Sequence, residues 1–153
     1  MKRLLITGGP VHAMLDDVKI ISNTFKGGLM ADLAQQMSHD YGARVVYLCS
    51  DFGKIPSQNP RLKVVKHKGF EDYLRIVKEE SPKVHGVVLG AAVANLIPWK
   101  PIQGKFPSHD YAPGEPIPLL FKIAPRVIDV VKEAAPKTHL FGFKLLSGVE
   151  REE

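Results

Sequence analysis

Apolar residues along the chain keep two different rhythms. Leu4, Leu5 and Ile6 form a short unbroken run inside Lys2–Thr7, the mark of a buried strand, and it stops at the breakers Gly8-Gly9-Pro10. A long loop is predicted from Val11 to Asn23. Beyond Lys26-Gly27-Gly28 the apolar positions Leu29, Met30, Leu33, Ala34 and Met37 recur at helical spacing and end at Tyr41-Gly42, where glycine suits a left-handed cap. Arg44–Cys49 reads as a second strand, 51–60 as a loop rich in breakers, and Leu62–Lys66 as a short third strand. Phe70, Tyr73, Leu74 and Val77 share one face of a helix over Phe70–Glu80. Residues 84–94 are apolar and rich in Gly and Ala, which predicts a central strand covered on both sides. Six prolines between Ile97 and Pro118 predict one long irregular loop. A short strand over Leu119–Lys122, a helix from Pro125 to about Ala135 and a last strand over 138–146 complete the reading.

Strands alternating with helices predict right-handed crossovers and a mainly parallel sheet, a Rossmann-like α/β fold with helices on both faces. The 153 residues fit one domain with a real core, and no internal repeat divides them. With 44% hydrophobic and 24% charged residues the chain does not read as disordered. The single cysteine, Cys49, excludes a disulfide framework and fits a reducing compartment. No apolar stretch approaches the roughly 20 residues of a membrane span, so no membrane partner and a cytoplasmic location are expected. The net charge of +5 suits phosphorylated small molecules as well as nucleic acid. The basic residues are dispersed along the chain, however, and nucleic acid is not expected as a partner. Lys63, Lys66 and Lys68 form the densest group, a solvated edge or a small binding patch.

In parallel sheets, ligands bind beyond the carboxyl ends of the strands. Gly8-Gly9 lacks the third glycine and the prompt helix of a dinucleotide fingerprint. Gly27-Gly28 at a helix start is either a tight turn or a cradle for phosphate, with Lys26 beside it. The small residues of Gly90-Ala91-Ala92-Val93-Ala94-Asn95 would let a base or ribose lie on the backbone, or serve close helix–sheet packing. Lys100 and Lys105 in the proline loop are ordinary surface lysines or a mobile positive charge over a phosphate. Asp16-Asp17 reads as a loop cap or solvated pair before an acid–base dyad, and Cys49 as a packed thiol before a nucleophile. His12, His39, His67, His85, His109 and His139 show no metal-ligand spacing. Tyr73 has Val77 four residues on, so the Tyr-x-x-x-Lys pair of short-chain dehydrogenases is absent.

Six segments in order carry a resemblance. They are Leu5-Ile6-Thr7-Gly8-Gly9; Asp17-Val18-Lys19-Ile20-Ile21-Ser22-Asn23 with Gly27-Gly28; Ala91-Ala92-Val93-Ala94-Asn95; Lys105-Phe106-Pro107-Ser108; Lys122-Ile123-Ala124-Pro125-Arg126-Val127-Ile128; and Leu140-Phe141-Gly142-Phe143-Lys144-Leu145-Leu146. Together they resemble the phosphopantothenate–cysteine ligases, both the stand-alone bacterial type and the C-terminal domain of DNA/pantothenate metabolism flavoproteins. The resemblance implies one phosphopantothenoylcysteine synthetase-like domain over 1–153. It implies 4′-phosphopantothenate and cysteine as substrates, CTP (or ATP) as cosubstrate, Mg²⁺ with the triphosphate, and a possible homodimer.

By the same resemblance, Asn23 polarises the acyl-phosphate carbonyl and Lys105 lies against the nucleotide phosphates. Gly90, Ala91 and Asn95 border base and ribose, Pro125, Arg126, Val127 and Ile128 abut the base, and Phe143 packs nearby. Gly8 and Gly9 belong to the same cosubstrate site, and the Gly27-Gly28 helix end takes either the phosphopantothenate phosphate or the triphosphate. Asn95 stands where the family has an acid, and Pro107-Ser108 where bifunctional members carry more lysines. The family continues past the Gly-Phe strand with a lysine-bearing helix, whereas this chain stops at Glu150-Arg151-Glu152-Glu153, so a C-terminally shortened domain is expected. An inactive relative that binds nucleotide or phosphopantothenate is the alternative. A redox domain using NADP or flavin would rest on fold analogy alone.

Overall fold

The computed structural model describes residues 1–145. Five parallel strands, β1 (Arg3–Thr7), β2 (Arg44–Cys49), β3 (Leu62–Lys66), β4 (Gly86–Leu89) and β5 (His139–Gly142), form one sheet. Their spatial order is β3-β2-β1-β4-β5, the Rossmann order in which the chain reverses direction between β1 and β4. Helix α1 (Gly28–His39) follows β1, α2 (Phe70–Glu80) follows β3 and α3 (Val127–Ala134) precedes β5.

Strand alternation decides what each face buries. Leu5, Leu48 and Val87 point to the side covered by α2 and α3, where Phe70, Tyr73, Val77, Val127 and Val131 close the core. Ile6, Val45, Tyr47 and Val88 point to the other side, under Met30, Ala31 and Ala34 of α1. Right-handed crossovers explain this division. β1 to β2 moves one way across the sheet and places α1 on one face. β3 to β4 and β4 to β5 move the other way and place α2 and α3 opposite.

The five strands and three helices follow the sequence reading, and the loops depart from it. The 11–23 segment is no plain loop: Ala13–Met14 pairs antiparallel with Ile20–Ile21. The strand expected over 84–94 breaks after Leu89, and Ala92–Val93 pairs in parallel with Pro10–Val11. The chain thus steps sideways past Gly8-Gly9 and Gly90-Ala91 and resumes the ladder. Leu96–Pro98, at the start of the expected proline loop, pairs antiparallel with Phe121–Ile123. Proline is compatible there because its missing N–H falls at the end of a two-stranded pair. The last helix opens at Val127, with Pro125 and Arg126 ahead of it. The last strand ends at Gly142, and Leu146 lies outside the described residues.

Candidate functional site

The carboxyl ends of β1 and β4 meet at the reversal of strand order. Thr7 is buried there, and its hydroxyl accepts hydrogen bonds from the Tyr73 phenol (3.1 Å) and the Ala91 amide (3.3 Å). The Thr7 carbonyl accepts from Gly90 N (3.1 Å) and the Gly9 carbonyl from Ala92 N (2.9 Å). These bonds hold the first bend of each strand end in a single geometry. Burial pushes the Tyr73 hydroxyl up to about 12 while its bond to Thr7 opposes the rise, so Tyr73 is a neutral wall at ordinary pH.

Beside this junction opens a cleft of about 800 Å³, within the range of small-molecule sites. Ala91, Asn95, Pro125, Arg126, Val127, Ile128 and Phe143 all line it. Seven residues from three separate segments are therefore neighbours. Ala124 N donates to the Asn95 carbonyl (2.8 Å), which ties the two strands that frame the opening. Val93, Ile123, Val127 and Phe143 supply apolar surface, and Arg126 and Lys144 supply positive charge. Arg126 also pairs with Asp129 at 3.7 Å on the exposed surface. Tyr73 and Lys144 are lining residues that the sequence reading missed. Tyr73 carried only the signal of a core-facing helix position, and Lys144 only its place after the Gly-Phe pair.

The glycines occupy the other side of the junction. A Cβ on Gly90 would fall 2.0 Å from Met30 Sδ, so Gly90 serves close approach of α1 to the sheet. Gly8 faces Tyr47, and Gly9 and Gly27 both have positive φ and lie backbone against backbone. Gly27 is therefore closed in by packing, which answers to the tight-turn reading. Gly28 is more open: a Cβ there would meet only the Lys54 side chain, at 3.7 Å.

Asn23 and Lys105 do not line the cleft. They belong to two loops fastened together by carboxylates. Asp16 is buried and accepts from Val18 N (2.8 Å), Lys19 N and Phe106 N (2.7 Å). Asp17 accepts from Gly104 N (3.0 Å), and Asp17 N donates to the Gly104 carbonyl (3.0 Å). Lys105 thus stands between two anchored residues, although its own side chain is exposed. Asn23 is half-buried just past the Ile20–Ile21 strand. The loop-cap reading of Asp16 holds, and the amides of Lys19 and Phe106 keep its carboxyl far below the ordinary carboxylate range. Cys49 is buried and its thiol is pushed up by that burial, as a packed thiol should be. Lys66 is no free solvated lysine, since its ammonium donates to the Ser50 carbonyl (3.0 Å).

Two histidines lie buried behind the junction. The rings of His12 and His67 are near-parallel with centroids 6.2 Å apart, flanked edge-on by Phe52 and Tyr73. His67 Nδ1 accepts from Gly69 N (3.3 Å), which assigns the neutral proton to Nε2. His67 Nε2 and His12 Nδ1 have no hydrogen-bond partner. Burial, with the neighbouring His12 second, pushes His67 down to about 4 from 6.5, and burial lowers His12 too. A depressed histidine means that the unfolded chain binds the extra proton, so stability is full above pH 6.5 and falls as the pH drops toward 4. For His67 the loss amounts to about 3 kcal/mol across that window. Chemical denaturation at pH 7 and at pH 4.5 should show this slope, and His67→Gln should flatten it; an unchanged slope would mean that His67 is not its source.

Among the described residues no group of three or more His, Cys, Asp or Glu is placed to hold a metal ion, and no helix is long and apolar enough to cross a membrane. The profile of the DNA/pantothenate metabolism flavoprotein C-terminal domain matches residues 1–152. The coenzyme A biosynthesis bifunctional protein CoaBC of Thermococcus kodakarensis is 28% identical over 156 residues, covering 99% of this chain. The chain spans only 36% of that relative's length. Among solved structures, the DNA/pantothenate metabolism flavoprotein of Streptococcus pneumoniae superposes with a TM-score of 0.82 at 22% identity, over 98% of this chain and 72% of that one. A Cab2 mutant in complex with phosphopantothenate-cysteine superposes with a TM-score of 0.74 at 17% identity, over 91% of this chain and 62% of that one. These two likenesses speak for the fold. With four of its six ordered motifs at one strand junction and its cleft and a profile match over nearly its whole length, the chain belongs to the DNA/pantothenate metabolism flavoprotein C-terminal domain family.

Proposed function

We propose that the chain carries the phosphopantothenate–cysteine ligase reaction of coenzyme A biosynthesis, in the cytoplasm. The convergence of Ala91, Asn95, Pro125–Ile128 and Phe143 on one cleft at the switch in strand order supports this reading most directly. A carboxylate oxygen of 4′-phosphopantothenate attacks the α-phosphorus of a nucleoside triphosphate, CTP or ATP, and pyrophosphate leaves. The cysteine amine then attacks the acyl carbon and the nucleoside monophosphate leaves. Both steps gather negative charge on oxygen, so the protein's work is positioning and electrostatic stabilisation. The apolar cleft wall receives the base, and Arg126 and Lys144 face the charged part. Asn23 donates to the acyl-phosphate carbonyl, Lys105 approaches the phosphates from its anchored loop, and Gly8, Gly9, Gly27 and Gly28 bound the phosphate region. Mg²⁺ enters only as a companion of the triphosphate oxygens, because the described residues offer no carboxylate cluster for it.

The test is an assay of CMP and pyrophosphate with phosphopantothenate and CTP, with and without cysteine, repeated with ATP. Pyrophosphate should form without cysteine, and amide should form only with it. Asn23→Asp and Lys105→Gln should each lower the rate by roughly 10²–10³-fold. No acyl-nucleotidylate with either nucleotide would overturn the ligase reading. Ligand binding by calorimetry without turnover would instead favour a binding relative, a reading that the neutral Asn95 in place of the family's acid supports. Pairing of two copies belongs to the same proposal. Leu96, Trp99, Leu120 and Ile123 are exposed on and beside the projecting Leu96–Pro98/Phe121–Ile123 pair, an apolar surface suited to a second copy.

A further inference from the structure

The opposite end of the sheet carries a second concavity that the ligase reaction leaves unused. It measures about 420 Å³ and lies at the amino-terminal ends of β1, β2 and β3, between the sheet and the end of α2. Arg3, Arg44, Arg61, Lys63 and Lys83 line it, with Glu80 as the only carboxylate among the described residues. These cations are scattered in sequence and gathered by the sheet. Arg3 and Arg44 are register partners on adjacent parallel strands, and Arg61 directly precedes β3. Adjacent strands lie only about 4.8 Å apart. Arg3, Arg44 and Lys63 alternate to the same face as Leu5, Val46 and Val65, the face that α2 covers.

Like charges set side by side across strands are unfavourable, and the fold does not offset them. Among the described residues Arg3, Arg44, Arg61 and Lys63 form no ion pair, while Glu80 is already held by Lys83 at 2.8 Å. All four are exposed, so solvent screens their mutual repulsion without removing it. An anion that bridges two or three of these cations would turn that repulsion into attraction. Among the described residues no aromatic side chain lines the cleft, so they offer no stacking platform of the kind by which single-stranded nucleic acid is held. Leu4, Val46, Leu62 and Val84 supply a small apolar floor instead. We propose that this cleft binds a compact polyanion of the phosphate or pyrophosphate class, at a site about 15 Å from the carboxyl-end cleft along the strands.

Titration of the ¹⁵N-labelled protein with inorganic pyrophosphate tests this, because the amides that move report which end is occupied. The amides of Leu4, Val45, Leu62 and Val84 should shift and saturate. Arg44→Gln/Lys63→Gln should weaken that response at least tenfold with an unchanged melting temperature, and Arg3→Gln/Arg61→Gln serves the same purpose should the first pair fold poorly. Lys105→Gln, at the other end, should leave it intact. Shifts confined to the carboxyl-end residues, or a linear response without saturation, would overturn the proposal. So would displacement of pyrophosphate only by long oligonucleotides that bind far more tightly, which would mark a nucleic-acid surface. The outcome is independent of the ligase assay, since no residue is shared between the two sites.

Discussion

Replacing Asp16 with alanine is expected to lower the melting temperature by roughly 10 °C and to release the 102–106 segment from the rest of the fold. Asp16 is buried, and its two oxygens take up the amides of Val18, Lys19 and Phe106 together with the Lys19 ammonium. Alanine leaves those amides without an acceptor in a place water reaches poorly, and an unmet buried donor costs more than the bond itself contributed. Asp16→Asn discriminates between shape and charge. Its Oδ1 can still serve Val18 and Lys19, but its amide group would meet the Phe106 N–H donor to donor. The turn should survive in the Asn variant while the tie to Phe106 fails. Hydrogen exchange at the Gly104 and Phe106 amides reads this directly, and protection equal to wild type in both variants would refute the fastening role. Because the Asp16 carboxyl is depressed, its contribution is present above its ordinary value of 3.8 and is lost as the pH falls below it. That window lies under the one set by His67, so the two can be separated in a single pH series.

Gly27→Ala should be the most damaging glycine substitution among the described residues. A Cβ at this position would sit 2.1 Å from Gly9 N and 2.6 Å from Gly9 Cα, and the residue has a φ of +78°. The obstructing atoms are backbone, so no side chain can rotate away. Left-handed strain and overpacking together amount to roughly 3 kcal/mol or more. Gly42→Ala is the control: its φ is +64° but nothing lies within 4 Å of the added carbon. It should cost only about 1 kcal/mol. If denaturant melts find the two variants equally stable, the contact between the Gly8-Gly9 turn and the start of α1 does not carry the weight assigned to it. If instead Gly27→Ala separates the turn from the helix, Lys26 and Lys54 should separate with it, since Lys54 N donates to the Lys26 carbonyl at 2.7 Å.

Much of the architecture could be read from residue order. The apolar runs at Leu4–Ile6 and Val45–Cys49 and the helical spacing of Leu29 to Met37 and Phe70 to Val77 are properties of short stretches, and each stretch formed what its rhythm predicted. The same holds for the ordered motifs, because a motif is local and its neighbours in the cleft are ends of such stretches. The loops were another matter. Pairing of Ala13–Met14 with Ile20–Ile21, or of Leu96–Pro98 with Phe121–Ile123, depends on short partners whose pattern is too brief to show a period.

By itself, then, the chain's pattern determined the alternating elements, their parallel arrangement and the family, since periodicity and motif order act over a few residues at a time. Only the tertiary structure decided which residues meet. It buried Asp16 under Phe106, ninety positions away, and set Gly27 against Gly9. It stacked His12 near His67 and gathered Arg3, Arg44 and Arg61 at one end of the sheet. The physical reason is common to all four: each contact joins segments that only the folded chain brings side by side, and no spacing within either segment encodes its partner.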